Sequence, residues 1–238
     1  MSKSGQTIAY GYDSDGKRIT KTVNGTTYNY HYLGDQLVEL TWSGNKLHFT
    51  YDSTGPLSVN CNGTEYFYVK NAQGDVTGLV STSGTRVVTY TYDAWGNPLS
   101  TTGTMASTLG SVNPLRYRGY VYDTETGLYY LQSRYYNPGW GRFINADDTT
   151  LLLSSPGKAH WDKNVFAYCD NNPLNRVDED GECWNIIIGG IVGGIVSGAS
   201  TIVNDAIMGR ETTAGSVLKS VFVGAATGVV SALSLIHI

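Results

Sequence analysis

The side chains that could do chemistry in this 238-residue chain are a few histidines and cysteines, scattered acids and one arginine in an aromatic strand. Cys61, Cys169 and Cys183 have no C-x-x-C spacing, so they form neither a zinc site nor a disulfide framework. One pair plus a spare stays open, and free thiols are the expectation. His31, His48, His160 and His237 lie far apart in sequence, so no metal is expected, and no cofactor. Arg134 stands in Leu128-Tyr-Tyr-Leu-Gln-Ser-Arg-Tyr-Tyr136, a run of β-formers bounded by Thr126-Gly127 and Asn137-Pro138-Gly139 and read as one strand between turns. An arginine there costs much to bury unpaired, so a carboxylate partner is expected. The segment Asp178-Glu-Asp-Gly181, taken alone, reads as an acidic turn.

The elements that must hold these residues are β-hairpins. Self-alignment gives one repeating unit, two aromatics flanking a spacer and then a glycine a few positions on. Tyr10-Gly-Tyr12-Asp13 leads to Gly16, Tyr30-His-Tyr32 to Gly34, Phe49-Thr-Tyr51-Asp52 to Gly55, Tyr66-Phe-Tyr68 to Gly74, and Tyr90-Thr-Tyr92-Asp93 to Gly96. Aromatics at i and i+2 share one face of a strand, and Asp-x-x-Gly supplies turn chemistry. A lone hairpin cannot bury its aromatic face, so the units must join a continuous sheet. Tyr12, Tyr32, Tyr51, Tyr68 and Tyr92 are therefore read as sheet packing rather than a sugar-binding ladder. Charged residues make up only 15% of the chain against a typical value of about 25%, while Gly reaches 29 and Tyr 18. With a net charge of −4 and scattered Lys and Arg, nucleic-acid binding by this portion is not expected.

The repeats are followed by Leu115-Arg-Tyr-Arg-Gly-Tyr-Val-Tyr-Asp-Thr-Glu-Thr-Gly127 and Leu128-Tyr-Tyr-Leu-Gln-Ser-Arg134-Tyr-Tyr-Asn-Pro-Gly-Trp-Gly141-Arg142-Phe143, then by Phe166-Ala-Tyr168-Cys-Asp-Asn171-Asn172-Pro173 through Asp178 to Gly181. With the repeats, this stretch over 8–182 resembles the bacterial Rhs or YD-repeat family and its repeat-associated core. The resemblance implies a spiral of β-hairpins closing into a shell, a core segment plugging one end, and a variable toxin following it. Too few hairpins are present for closure, so an open sheet is expected. The implied organisation is YD repeats over 1–112, the repeat-associated core over 113–182, and an apolar Gly-rich helical hairpin over 183–238 heading the effector region. The fold class is mainly β, with the helical hairpin last.

In relatives that release their toxin, the resemblance implies a self-cleaving aspartyl protease. Carried onto this sequence, its residues are Arg134, Asp147 and either Asp178 or Asp180, with the cut between Glu182 and Cys183. One ionised carboxylate takes a proton from water while a neutral one polarises the carbonyl. The family's Asp-Pro pairs are here Asp147-Asp148 and Asp178-Glu179, and its leucine before the cut is Glu182, whose charge raises neighbouring carboxylate pKa values. The alternative is a buried structural Arg134–Asp147 pair. The implied partner is the chain's own C-terminal effector, with a wall-glycan or target-cell adhesion module as the competing function.

Ile186 to Val203 is 18 residues without a charge, with Gly190, Gly194 and Gly198 four apart, and Ser220, Gly224, Gly228 and Ala232 repeat the spacing. This fits a membrane contact by 186–203 or a glycine-zipper hairpin buried in protein. Met1 to Gln6 carries no apolar signal region, so the secretion signal of a secreted or wall-located parent is expected upstream. Leu233 to Ile238 looks like translated sequencing adapter and is expected to be non-native.

Overall fold

A computed structural model describes residues 2–3, 5–146, 164–178, 181 and 184–185. Asp147, Asp180, Glu182, Cys183 and the glycine-zipper segments lie outside the described residues, so the expectations placed on them are not addressed by the fold. The described residues fall into two compact units. One holds everything through Asn171 together with Gly181, and the other holds 172–178 and 184–185.

The first unit is dominated by one antiparallel sheet whose eleven strands lie side by side in chain order. They are β1 (Ser2–Lys3), β2 (Gln6–Tyr12), β3 (Arg18–Val23), β4 (Thr26–Leu33), β5 (Gln36–Trp42) and β6 (Asn45–Asp52). The run continues with β7 (Gly55–Cys61), β8 (Thr64–Lys70), β9 (Val76–Ser81), β10 (Arg86–Tyr92) and β11 (Pro98–Thr102). The sheet is open, because β1 and β11 stand at opposite ends of the order. It matches the hairpin sheet expected from the aromatic repeat.

Each Tyr-x-Tyr unit carries a register shift at its second aromatic or just after it: Gly11/Tyr12, His31/Tyr32, Thr50/Tyr51, Val69/Lys70 and Thr91/Tyr92. Such bulges raise local twist. The turns follow from side-chain acceptors. The carboxylate of Asp13 accepts the amides of Asp15 and Lys17 at 3.0 and 2.8 Å, and Asp93 accepts those of Trp95 and Asn97 at 2.9 Å each. Asn71 builds the same turn with Gln73 and Asp75. Between these lie tighter reversals at Asn24-Gly25, Ser43-Gly44 and Asn62-Gly63, with both residues at positive φ, the type I′ geometry of two-residue hairpins.

One face of this sheet buries Tyr30, Leu40, Leu47, Phe49, Val59, Tyr68, Leu79, Val88 and Tyr90. The same cluster takes in Leu109 of a short helix, α1 (Leu109–Val112), and Leu115, Val121 and Tyr130 beyond it. A second, four-stranded antiparallel sheet thus covers the aromatic face: β12 (Val121–Asp123), β13 (Leu128–Leu131), β14 (Arg134–Asn137) and β15 (Arg142–Phe143). We call it the plug sheet. The stretch Leu128–Tyr136, read as one strand, is two. Gln132 at φ 61° reverses the chain, and Leu131 pairs with Arg134. In the second unit, β16 (Val177–Asp178) pairs with β17 (Trp184–Asn185), putting a strand at the head of the region expected to be helical.

Two glycines separate turn strain from packing. At Gly84, φ is +80° and no atom lies within 4 Å of a β-carbon position, whereas at Gly96, φ +83°, a β-carbon would stand 2.5 Å from the Tyr117 ring. Gly84→Ala is expected to cost about 1–2 kcal/mol, the left-handed penalty alone. Gly96→Ala adds steric expulsion of Tyr117 and should cost clearly more, as measured by urea unfolding of the two variants.

Candidate functional site

The chemistry-bearing side chains gather where the plug sheet meets the large sheet. Asp123, the last residue of β12, is wholly buried and faces two cations from β3. Arg18 Nη1 donates to Asp123 Oδ2 at 2.5 Å, and Lys21 Nζ donates to Oδ1 at 3.1 Å. Lys21 also reaches Glu125 Oε2 at 2.9 Å, so two cations meet two carboxylates. The Arg18 guanidinium is fully buried among the rings of Tyr130, Tyr30, Tyr10 and Tyr135, at 4.4, 4.7, 5.2 and 5.8 Å from their centroids. These π-faces offset the lack of hydrogen-bond acceptors at Arg18 Nε and Nη2.

Burial alone would raise the Asp123 pKa, but Arg18 and Lys21 beside it outweigh that and hold it below the usual carboxylate range. For Lys21 burial works to lower the pKa, and Asp123, Tyr30 and Glu125 together more than reverse it, raising it above the ordinary lysine range. Burial, then the Asp123 charge, pushes the Tyr10 phenol up to about 12. The cluster is thus built from fixed charges at neutral pH.

At the other end of the large sheet, tyrosine hydroxyls do the fixing. Tyr117, Tyr136 and Tyr129 donate to the carbonyls of Ala94, Trp95 and Gly96, the turn between β10 and β11, at 3.1, 2.7 and 2.7 Å. Nearby, Arg116 lies on the Tyr90 ring at 4.0 Å and donates to the carbonyls of Gly110 and Asn113 at 2.5 and 3.0 Å. Arg118 donates to the Gln73 carbonyl at 2.6 Å and sits 3.5 Å from Asp75.

Arg134, expected to seek a carboxylate, opens β14 and lies against the Phe143 ring at 3.7 Å from its centroid. Its Nε donates to the carbonyl of Gly181, and its Nη1 to that of Val165 at 3.2 Å. The structure therefore brings Arg134 together with the segment before the expected cut. Asp178 is buried at the end of β16 in the second unit, and the remaining expected site residues lie outside the described set. Tyr32, Tyr51, Tyr68 and Tyr92 pack in or against the core, with Tyr51 and Tyr92 donating to the carbonyls of Leu37 and Val76. Tyr12 is half exposed, its hydroxyl 2.9 Å from that of Tyr135. Among the described residues, no cluster of His, Cys, Asp and Glu could hold a metal, and no helix is long and apolar enough to cross a membrane.

The Teneurin YD-shell family model matches residues 1–174, the sheet and plug just described. The chain belongs to the YD-shell family. This YD-shell protein is 46% identical over 187 residues to the tRNA3(Ser)-specific nuclease WapA of Bacillus spizizenii, covering 76% of this chain and 8% of that protein. The tRNA nuclease WapA of Bacillus subtilis strain 168 is 45% identical over the same length and share. The chain thus spans less than a tenth of these relatives. Among solved structures, the crystal structure of TcdB2-TccC3-Cdc42 superposes with a TM-score of 0.58 at 21% identity, covering 74% of this chain and 9% of that one. That likeness concerns the fold.

Sequence reasoning missed the cluster of Arg18, Lys21, Asp123 and Glu125, because its two halves lie some hundred residues apart. The available signal was two cations on a strand whose neighbours carry the aromatics Tyr10, Tyr28 and Tyr30. Asp123→Asn leaves Arg18 and Lys21 buried without their shared counter-charge and is expected to cost about 3–5 kcal/mol, more than Glu125→Gln, which removes one rim contact. Because the folded pKa of Asp123 is depressed, its contribution is complete above the unfolded value of about 3.9 and is lost as pH falls through the folded value. The gap in melting temperature between wild type and Asp123→Asn should accordingly hold from pH 7 to about 5 and shrink below about pH 4.

Proposed function

We propose that this YD-shell chain is the sheet and plug of an Rhs-type toxin shell, which encloses and delivers an effector lying C-terminal to the plug. The observation that carries the reading is the attachment of the chain's exit: Gly181 is tied by Arg134 to a plug sheet that is itself fixed by buried charge to the large sheet. A binding module would need accessible recognition groups, whereas here Tyr32, Tyr51, Tyr68 and Tyr92 of the repeats pack in or against the core. The parent is placed outside the producing bacterium, secreted or at its surface. Residues 186–203 would contact either a membrane or the shell interior. Wall glycan stays the competing partner.

In this reading the core also cuts the chain once, after Glu182. Water adds to the Glu182 carbonyl carbon, giving one proton to the ionised member of a carboxylate pair. The C–N bond to Cys183 then breaks, the new amine takes a proton from the neutral member, and a carboxylic acid is left on Glu182. Asp147 and either Asp178 or Asp180 would form the pair. Arg134 supports the step through the carbonyl it holds at Gly181, one residue before Glu182.

Two measurements test this. Intact mass spectrometry of the purified chain should show fragments meeting between Glu182 and Cys183, abolished by Asp147→Asn and Asp178→Asn or Asp180→Asn. A wild-type chain that stays whole rejects the self-cleavage step. In the parent protein, residues beyond 185 should survive added proteinase K in the wild type and be digested in Asp123→Asn; equal digestion in both rejects enclosure.

A further inference from the structure

Gly181 is held by steric fit as well as by its hydrogen bond from Arg134. Its φ is +80°, a region costly for any residue with a β-carbon. A β-carbon there would stand 2.7 Å from Ser133 Oγ and 2.9 Å from the Leu131 carbonyl oxygen, with the Arg134 amide nitrogen at 3.3 Å. These atoms belong to the tight reversal between β13 and β14, which exists because Gln132 takes positive φ. The neighbouring carbonyl of Leu131 already accepts the Ser133 amide at 2.7 Å, so the backbone forming this surface is fixed. On the other side Arg134, immobilised against Phe143 and by its bond to the Val165 carbonyl, takes the Gly181 carbonyl.

We infer that the β13–β14 reversal and Arg134 form a glycine-selective backbone seat that fixes the register of the exiting chain. The ligand is the chain's own backbone. Selection works by exclusion, since the seat has room for hydrogen and none for a methyl group, and by direction, since the guanidinium donates to a carbonyl that Gly181 presents from the left-handed conformation. A one-residue slip would put Asp180 or Glu182 in the seat, and both carry the β-carbon that it rejects. The seat is therefore a specificity determinant and Arg134 a positioning residue. This deepens the self-cleavage reading, because the register set at Gly181 decides which peptide bond meets the carboxylates. The seat itself acts whether or not the bond is cut.

The test is limited digestion of the full chain with endoproteinase Glu-C, following cleavage after Glu179 by mass and using cleavage after Glu125 in the plug as the internal reference. Gly181→Ala should speed cleavage after Glu179 on the order of tenfold with cleavage after Glu125 unchanged. Ser133→Leu, which fills the seat from the plug side and keeps glycine at 181, should do the same. Gly139→Ala, at an ordinary backbone conformation, should match wild type. Wild-type rates after Glu179 in folded Gly181→Ala overturn the seat; if that variant does not fold, Ser133→Leu decides by the same criterion. Intact mass of the same samples separates the two ideas. A wild-type chain that never self-cleaves, with faster Glu179 cleavage in both seat variants, rejects self-cleavage and keeps the seat. A wild type that cuts while Gly181→Ala cuts equally fast at the same bond rejects the seat and keeps self-cleavage.

Discussion

Asp123 is the counter-charge shared by two buried cations from a strand that precedes it by about a hundred residues, and the joining of plug to sheet depends on that pairing. Neither Arg18 nor Lys21 could stay inside an aromatic face without it, since an unpaired buried charge costs several kcal/mol. Asp123 in turn could not sit wholly buried without them. The requirement is mutual, so the large sheet and the plug sheet complete each other's electrostatics rather than merely touching through apolar surface. The rings around Arg18 add cation–π attraction and keep water away, which strengthens the charges they enclose.

Tyrosine is the second recurring device. A sheet built on phenylalanine could bury as much surface, but the phenol tip lets a packed ring also satisfy a turn carbonyl. Tyr117, Tyr129 and Tyr136 do this on the turn between β10 and β11, and Tyr51 and Tyr92 do it between neighbouring strands of the large sheet. Charge therefore fixes the plug near β3, hydroxyls fix it near the last repeat turn, and the plug is tied down at both ends. Arg134 extends the pattern to the exit of the chain, using its donors on backbone carbonyls of Gly181 and Val165.

The repeat architecture is legible in the sequence because its signals are local: Tyr-x-Tyr sets a face, and Asp13 or Asp93 sets a turn with amides two and four residues on. The aromatic period marks one reversal per unit, whereas the chain also reverses at Asn24-Gly25, Ser43-Gly44 and Asn62-Gly63, which the period does not count. The break at Gln132 has no glycine or proline to announce it, so Leu128–Tyr136 reads as one strand where tertiary packing makes two. Arg134 is legible as a buried arginine in need of partners. Its grip on Gly181 is not, since it rests on a carbonyl 47 positions away and carbonyls carry no sequence identity. The Asp123 cluster is hidden for the same reason of distance.

The central claim is that large sheet and plug form one cooperative structure, and native-state hydrogen exchange under increasing denaturant measures it most directly. The account predicts that the slowest amides of β3, β4 and β10 and those of β12 to β14 merge into a single opening, with one free energy and one denaturant dependence. An opening of β12 to β14 at distinctly lower free energy, with the large sheet still protected, would contradict it.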